Sequence, residues 1–245
     1  MEIVDVKDLN QKLGFSERFT HAEDMAIADF KHWRMEVNDA PIFRYLYRNF
    51  KPNRHLEFGT WQGFGTVLCL EECSATVWTI NLPFGEKTDK QELVYSNYER
   101  EIEALQSWAA QLGIPKQPFY RTDRLGFIGR HYLGRRFGHR VCQIYADSTE
   151  WDISNYPQGF FDSCLIDGAH TTEIVSNDTV KALQLVRSAG MILWHDYCPY
   201  QDIIDSSGVV RGVTQSINMN IELLRAQLET LFWVDPSMIL VGVKK

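Results

Sequence analysis

The chain has 245 residues, 44% of them hydrophobic and 13% aromatic, which allows one large α/β domain with an appended segment or two small domains. Its net charge is −7 and its pI is near 5.5; no long basic run is present, which argues against a nucleic-acid partner. No apolar stretch reaches the roughly 20 residues of a membrane span, Met1–Asp8 lacks a basic-then-apolar signal pattern, and five scattered cysteines without a C-x-x-C pair fit reduced thiols in a soluble, cytoplasmic protein.

Residues 1–50 read as an N-terminal helical segment. A helical pattern opens near Ser16, with Thr20-x-x-Glu23 as a capping box. Pro41 opens a second helix that carries Ile42, Phe43, Tyr45, Leu46 and Phe50. Two amphipathic helices here suit a cover over one sheet edge, a lid or the arm of a homodimer. From residue 51 to 245 strands and helices alternate. Leu56–Phe58 is the first strand and Thr66–Glu72 begins a helix. Thr76–Asn81 is the second strand, followed by a loop over 82–90. Glu92–Leu112 reads as a long helix stopped by Gly113 and Pro115. A weak strand signal lies at Pro118–Tyr120, and Arg124–Phe137 is a helix or loop insertion. Val141–Tyr145 and Phe161–Asp167 are strands. Ile174–Arg187 is a helix ended by Gly190, and Met191–Trp194 is an apolar strand. A loop over 198–215, a helix over 216–228 and the strands Leu231–Val234 and Met238–Val243 complete the chain. This alternation predicts a parallel sheet with an antiparallel closing edge.

The organising stretch is Glu57-Phe-Gly-Thr-Trp-Gln-Gly-Phe-Gly-Thr66. Gly59, Gly63 and Gly65 permit a sharp strand-to-helix turn and a close backbone approach to a ligand, and the helix N-terminus behind them suits an anion. The spacing E-x-G-x-x-x-G-x-G-T departs from the dinucleotide pattern G-x-G-x-x-G. Polar residues recur at the ends of the predicted strands: Glu57, Asn81, Asp147, Asp167 and Asp196. In a doubly wound sheet such residues gather over one rim. The locally basic run Arg130–Arg140 reads as a solvated face or as a patch for an anionic substrate.

The glycine spacing resembles the first motif of class I S-adenosylmethionine (SAM)-dependent methyltransferases. Asp167-Gly-Ala-His170, then Asp178, then Leu183 through His195-Asp196-Tyr197 resemble a segment of a bacterial small-molecule group that includes the macrocin O-methyltransferase and cephalosporin-hydroxylase-like types. The resemblance covers residues 54–200. It implies a Rossmann-like, doubly wound, mostly parallel sheet of seven strands with an antiparallel C-terminal strand. It also implies SAM as cofactor, and methyl transfer to a small molecule, at a hydroxyl of a sugar or secondary metabolite. Carried over, Gly59, Thr60, Gly63 and Gly65 pack against the methionine part of SAM and Glu57 faces its amino group. Asn81 takes the ribose position, where the group has an acid; an amide has a single acceptor oxygen and holds a diol more weakly. Asp147 and Ser148 contact the adenine, and Asp167 is a further cofactor-binding residue. Some members bind a divalent cation, and the matching positions are Asp167, His195 and Asp196; imidazole departs from the oxygen ligands preferred by Mg²⁺. Without a metal, His195 or His170 is the candidate base, beside Asp196. Trp61, Phe64, Trp194 and Tyr197 are pocket walls or plain core. Two further readings compete: an oxidoreductase using a nicotinamide cofactor, and a non-catalytic binding subunit on the same fold.

Overall fold

A computed structural model describes residues 1–20, 30, 33–82 and 128–245. In chain order its regular elements are β1 (Glu2–Asp5), α1 (Leu9–Leu13), α2 (Ala40–Phe50), β2 (Arg54–Phe58), α3 (Phe64–Glu72), β3 (Thr76–Asn81), β4 (Val141–Tyr145), β5 (Phe161–Ile166), α4 (Thr172–Leu185), β6 (Val186–Trp194), α5 (Gln201–Ser206), α6 (Gly208–Met219), α7 (Ile221–Gln227), β7 (Leu228–Asp235) and β8 (Leu240–Lys244). A π-helical turn at Met35–Asp39 leads directly into α2.

The strands form one sheet in the order β1-β7-β8-β6-β5-β2-β3-β4. Among the described strands, only β8 runs against its neighbours, β6 and β7. Among the described residues the sheet has eight strands rather than the expected seven, because Glu2–Asp5 pairs in parallel with β7 at one edge. After β2 the chain builds outward through β3 and β4, then returns to place β5 on the other side of β2. The order therefore reverses between β2 and β5, and ligands bind beyond the carboxyl ends of strands at such a point.

Buried strands of a parallel sheet need apolar side chains on both faces. Every residue of β5 is buried. Leu165 and Leu193 join one core with Phe43, Leu46 and Leu68 from α2 and α3. Ile166 and Trp194 join the opposite core with Ala182 and Val213 from α4 and α6. Val4, Val6 and Leu9 belong to the first of these cores.

Several segments depart from the sequence reading. Ser16–Thr20 is not helical: Phe19 is buried edge-on against Tyr45, with ring centroids 5.5 Å apart, and the Tyr45 hydroxyl donates to the Glu17 carbonyl at 2.7 Å. Most of the first predicted helix, the 82–90 loop beyond Leu82, the 92–112 helix and the 118–120 strand lie outside the described residues. Gly190 sits inside β6 and not at a helix end. The chain bulges there, with Ala189 at φ 55, and the ladder with β5 resumes at Met191. The loop expected over 198–215 holds α5 and most of α6, and the helix expected over 216–228 is the end of α6 and α7, broken at Asn220, whose amide donates to Ser176 Oγ (2.8 Å) and the Ser216 carbonyl (2.9 Å).

The basic run over 130–140 ends in a structural role. Arg140 sends its guanidinium into the C-terminal end of α3, donating to the carbonyls of Leu70 (2.6 Å), Cys73 (2.8 Å) and Ala75 (3.1 Å). Terminal helix carbonyls lack intrahelical partners, so this cation satisfies acceptors that the fold would otherwise strand. Arg140→Ala should lower stability by about 2 kcal/mol or more. Urea unfolding should show a reduced midpoint with an unchanged slope.

Candidate active site

At the switch point β2 runs into its turn with the ladder still intact. Gly59 N–H donates to the Ile80 carbonyl at 2.9 Å, and Asp167 N–H donates to the Phe58 carbonyl at 2.8 Å. This draws the turn flat against the strand beside it. Gly59 has φ 95, and a Cβ there would lie 2.0 Å from the Asp167 carbonyl oxygen. Beyond the turn lies a cleft of about 600 Å³, lined among the described residues by Gly59, Trp61, Asn81, Asp147, Ser148, Asp167, His170, Asp178, His195 and Asp196, with Phe58, Ile80 and Ile174 among its apolar walls.

The rest of the glycine motif works beneath the cleft. Glu57 is 1% exposed. Its Oε2 accepts from the hydroxyls of Thr66 and Thr79, the latter at 2.6 Å, and it does not line the cleft. Burial pushes its carboxyl up to about 8, against the lowering effect of those hydroxyls. Gly65 passes over this carboxyl, where a Cβ would sit 2.3 Å from Oε1. Gly63, at φ 84, precedes α3 and faces the Tyr132 ring. Thr60 is buried, bonded to Thr79 Oγ1 (2.7 Å) and accepting from Gln143 Nε2 (3.0 Å).

Asn81 orders the cleft entrance. Its Oδ1 accepts from Trp61 N–H at 3.0 Å and its amide donates to the Leu82 carbonyl at 2.8 Å. Trp61 is held with φ 45, a conformation costly for a bulky side chain, and the residue stays 44% exposed. Trp194 and Tyr197 are buried in the core instead, and Phe64 packs against the other core. On the facing wall, Asp147 Oδ1 accepts from Thr149 N (2.8 Å) and Oγ1 (2.7 Å). Lys181 fastens the loop behind it by donating to the carbonyls of Ser148, Thr149 and Trp151. Asp178, to which the sequence assigned no role, is also in this wall, and burial pushes it up to about 6.

The far end of the cleft is a cluster of carboxylates and imidazoles. His195 is 7% exposed. Its Nδ1 lies 3.0 Å from Asp167 Oδ1 and 3.2 Å from Asp196 Oδ2; its Nε2 lies 3.0 Å from Asp39 Oδ2. His170 Nε2 lies 2.8 Å from Asp196 Oδ2 and 3.8 Å from Asp167 Oδ1, yet it is buried without hydrogen-bond geometry to any partner. Burial alone would lower both imidazoles. The neighbouring carboxylates outweigh it, raising His170 to about 9 and His195 well above its ordinary value. Asp167 and Asp196 are held below the usual carboxylate range, since those imidazoles outweigh the opposing effect of burial. Asp196 takes φ 58. Asp167, His170 and Asp196 each offer a ligand atom, all within 4.8 Å of one another. Of the three expected metal ligands, Asp167 and Asp196 belong to this group. His195 lies behind it with both ring nitrogens on carboxylates, and His170 takes its place. Asp39 was not foreseen: Asp before Ala-Pro carries only the sequence signal of a helix cap.

A glycine turn thus stands at the switch point of a doubly wound sheet, with a polar rim leading to a charged cluster. Residues 56–197, more than half of the chain, match the family model described as a methyltransferase domain. The chain belongs to that family, and it is a class I SAM-dependent methyltransferase. Among solved structures, a Staphylococcus aureus protein assigned provisionally as a caffeoyl-CoA O-methyltransferase is 15% identical, with 97% of this chain and 96% of that one covered and a TM-score of 0.53. The N-methyltransferase NodS from Bradyrhizobium japonicum WM9 is 10% identical, with 86% and 96% covered and a TM-score of 0.50. A search of curated proteins gives no match. At these identities the likeness is one of fold, and the acceptor is a matter for the site.

Two outcomes follow from this geometry. Gly59→Ala forces a left-handed alanine into the Asp167 carbonyl, and strain plus overpacking should cost about 3 kcal/mol or more, read as a loss of soluble protein or a large drop in Tm. Glu57 has a folded-state value of about 8 against 4.5 for the free group. The folded state therefore holds the extra proton between these values, and this contribution to stability is lost as pH rises from about 4.5 to 8, by up to about 1.4 kcal/mol per pH unit. Glu57→Gln should flatten the decline of the urea midpoint over that range; parallel profiles for the two proteins would contradict the assignment.

Proposed function

We propose that the protein transfers the methyl group of SAM to a hydroxyl oxygen of a small molecule, of the sugar or secondary-metabolite class, with help from a divalent cation. The observation that carries this reading is the continuity of the cleft from Gly59 to the Asp167–His170–Asp196 cluster. Gly59 leaves room for the methionine part of SAM. Asn81 stands at the ribose level, and Asp147 and Ser148 at the adenine. Asp167 adjoins both the cofactor turn and the cluster. Glu57, Thr60, Gly63 and Gly65 act from below, fixing the turn's shape.

The donor set fits a cation. Two carboxylates and an imidazole converge, and His170 Nε2 is a buried nitrogen without a well-aligned partner. A metal held by Asp167, His170 and Asp196 would supply Lewis-acid activation of an acceptor hydroxyl. The mixed oxygen and nitrogen set suits Mn²⁺ or a similar ion better than Mg²⁺. The chain's own residues position the acceptor and exclude water, which is most of what methyl transfer asks of an enzyme. A cytoplasmic location and a homodimer are part of this reading; light scattering decides the oligomeric state.

Calorimetry tests the core of the proposal. SAM and S-adenosylhomocysteine (SAH) should bind, and NAD should not. Asp147→Ala should weaken SAH about tenfold, or about 1.4 kcal/mol. Mn²⁺ binding, followed by paramagnetic resonance, should be lost in His170→Ala and Asp196→Ala. NAD binding in preference to SAH would replace the reading with an oxidoreductase, and no nucleotide binding would leave a binding subunit.

A further inference from the structure

Asp39 lies 156 positions before His195 and outside the stretch that matches the family, yet it is fully buried against the cluster. Three donors converge on its carboxylate. Met238 N–H reaches Oδ1 at 3.0 Å. Trp33 Nε1–H reaches Oδ2 at 2.8 Å, and His195 Nε2 meets the same oxygen at 3.0 Å. We propose that Asp39 is a positioning residue for methyl transfer, fixing the His195 ring and through it the rim carboxylates Asp167 and Asp196; this rests on the functional reading above.

The geometry supports the assignment from several sides. A buried carboxylate can only accept, so its contact with Nε2 requires the hydrogen to sit on that nitrogen. The ring is thereby turned so that Nδ1 faces Asp167 and Asp196 at 3.0 and 3.2 Å. Phe43, one turn into α2, covers the imidazole with centroids 5.8 Å apart, so the ring is held by packing as well as at both nitrogens. Asp39 is itself pinned. It ends the π-helical turn of Met35–Asp39, an uncommon geometry that recurs at functional sites. Trp33 stacks on Phe30 at 4.6 Å, and Phe30 packs against Tyr200 and Trp233. Asp39 uses both oxygens, one for Met238 and the other for Trp33 and His195, and burying a charge is costly unless it is paired. The partner that answers the charge is His195.

The test separates positioning from structural support. Asp39→Asn cannot accept at both oxygens, so either Met238 or the Trp33–His195 pair faces an amide N–H. Trp33→Phe removes one donor from the same oxygen and leaves His195 untouched. Both should lower Tm. In the native protein and in Trp33→Phe, the His195 Nε2–H should give an exchange-protected proton resonance; in Asp39→Asn it should vanish. Mn²⁺ affinity should fall about tenfold in Asp39→Asn and stay within threefold of native in Trp33→Phe, with SAH affinity kept within threefold in both. If Asp39→Asn does not fold, Asp39→Glu retains the charge, displaces it by one methylene, and should shift the same resonance with a smaller loss of Mn²⁺ affinity. An unprotected ring proton in the native protein, or matching behaviour of Asp39→Asn and Trp33→Phe, overturns the proposal. A native protein that binds neither SAH nor Mn²⁺ removes the functional reading instead, and the ring resonance still judges Asp39.

Discussion

The contact on which the architecture turns is between two backbone segments, Gly59 and Asp167, at the ends of β2 and β5. Hydrogen bonding continues one residue past each strand, so the turn cannot rise away from the sheet. With the turn held down, there is no room for a side chain at residue 59, and the space above it becomes the floor of the cleft. The same constraint delivers Asp167 to the cleft at a fixed height beside the turn. The floor of the cleft and the cluster are thus tied by one short stretch of ladder, and neither can move without the other.

Behind that floor, electrostatics and burial oppose one another, and pairing wins. His195, Asp39 and much of Asp167 are removed from water, which disfavours every charge among them. Each ring nitrogen of His195 nevertheless meets a carboxylate, and each Asp39 oxygen meets a donor. A buried network satisfied at every atom is stiff, because any displacement strands a partner in low dielectric. His170 is the exception, aimed at Asp196 without a proper bond. The network therefore has a fully paired back and one front residue, His170, whose buried nitrogen lacks an aligned bond.

Much of this was legible in the sequence. β5 announces itself as a short apolar run, since a strand covered on both faces has little choice of side chain; β4, at the sheet edge with no residue fully buried, is read from its β-branched and aromatic residues. The rim residues Asn81, Asp147, Asp167 and Asp196 follow from the rule that strand ends converge. Glu57 shows where that rule stops. Neighbours along a strand face opposite sides, so while Phe58 reaches the cleft wall, Glu57 turns under it toward Thr66. β1 escaped notice because Glu-Ile-Val-Asp is too short and too charged to read as a strand; it exists by pairing with β7. Asp39 escaped because its role depends on contacts with Trp33, His195 and Met238 that no local pattern encodes.

The N-terminal segment bears on chemistry through the same logic. Val4, Val6, Leu9 and Phe19 share a core with Leu165, Leu193 and Phe232 of the sheet, so the segment is held by burial over its described length. That core packs under α2, and α2 begins at the residue after Asp39. Hydrophobic burial is non-directional and fixes no single atom, whereas the three hydrogen bonds at Asp39 do. The segment thus supplies both parts of a positioning device: a broad apolar footing that sets where α2 lies, and one carboxylate at its leading end that converts this placement into the orientation of His195.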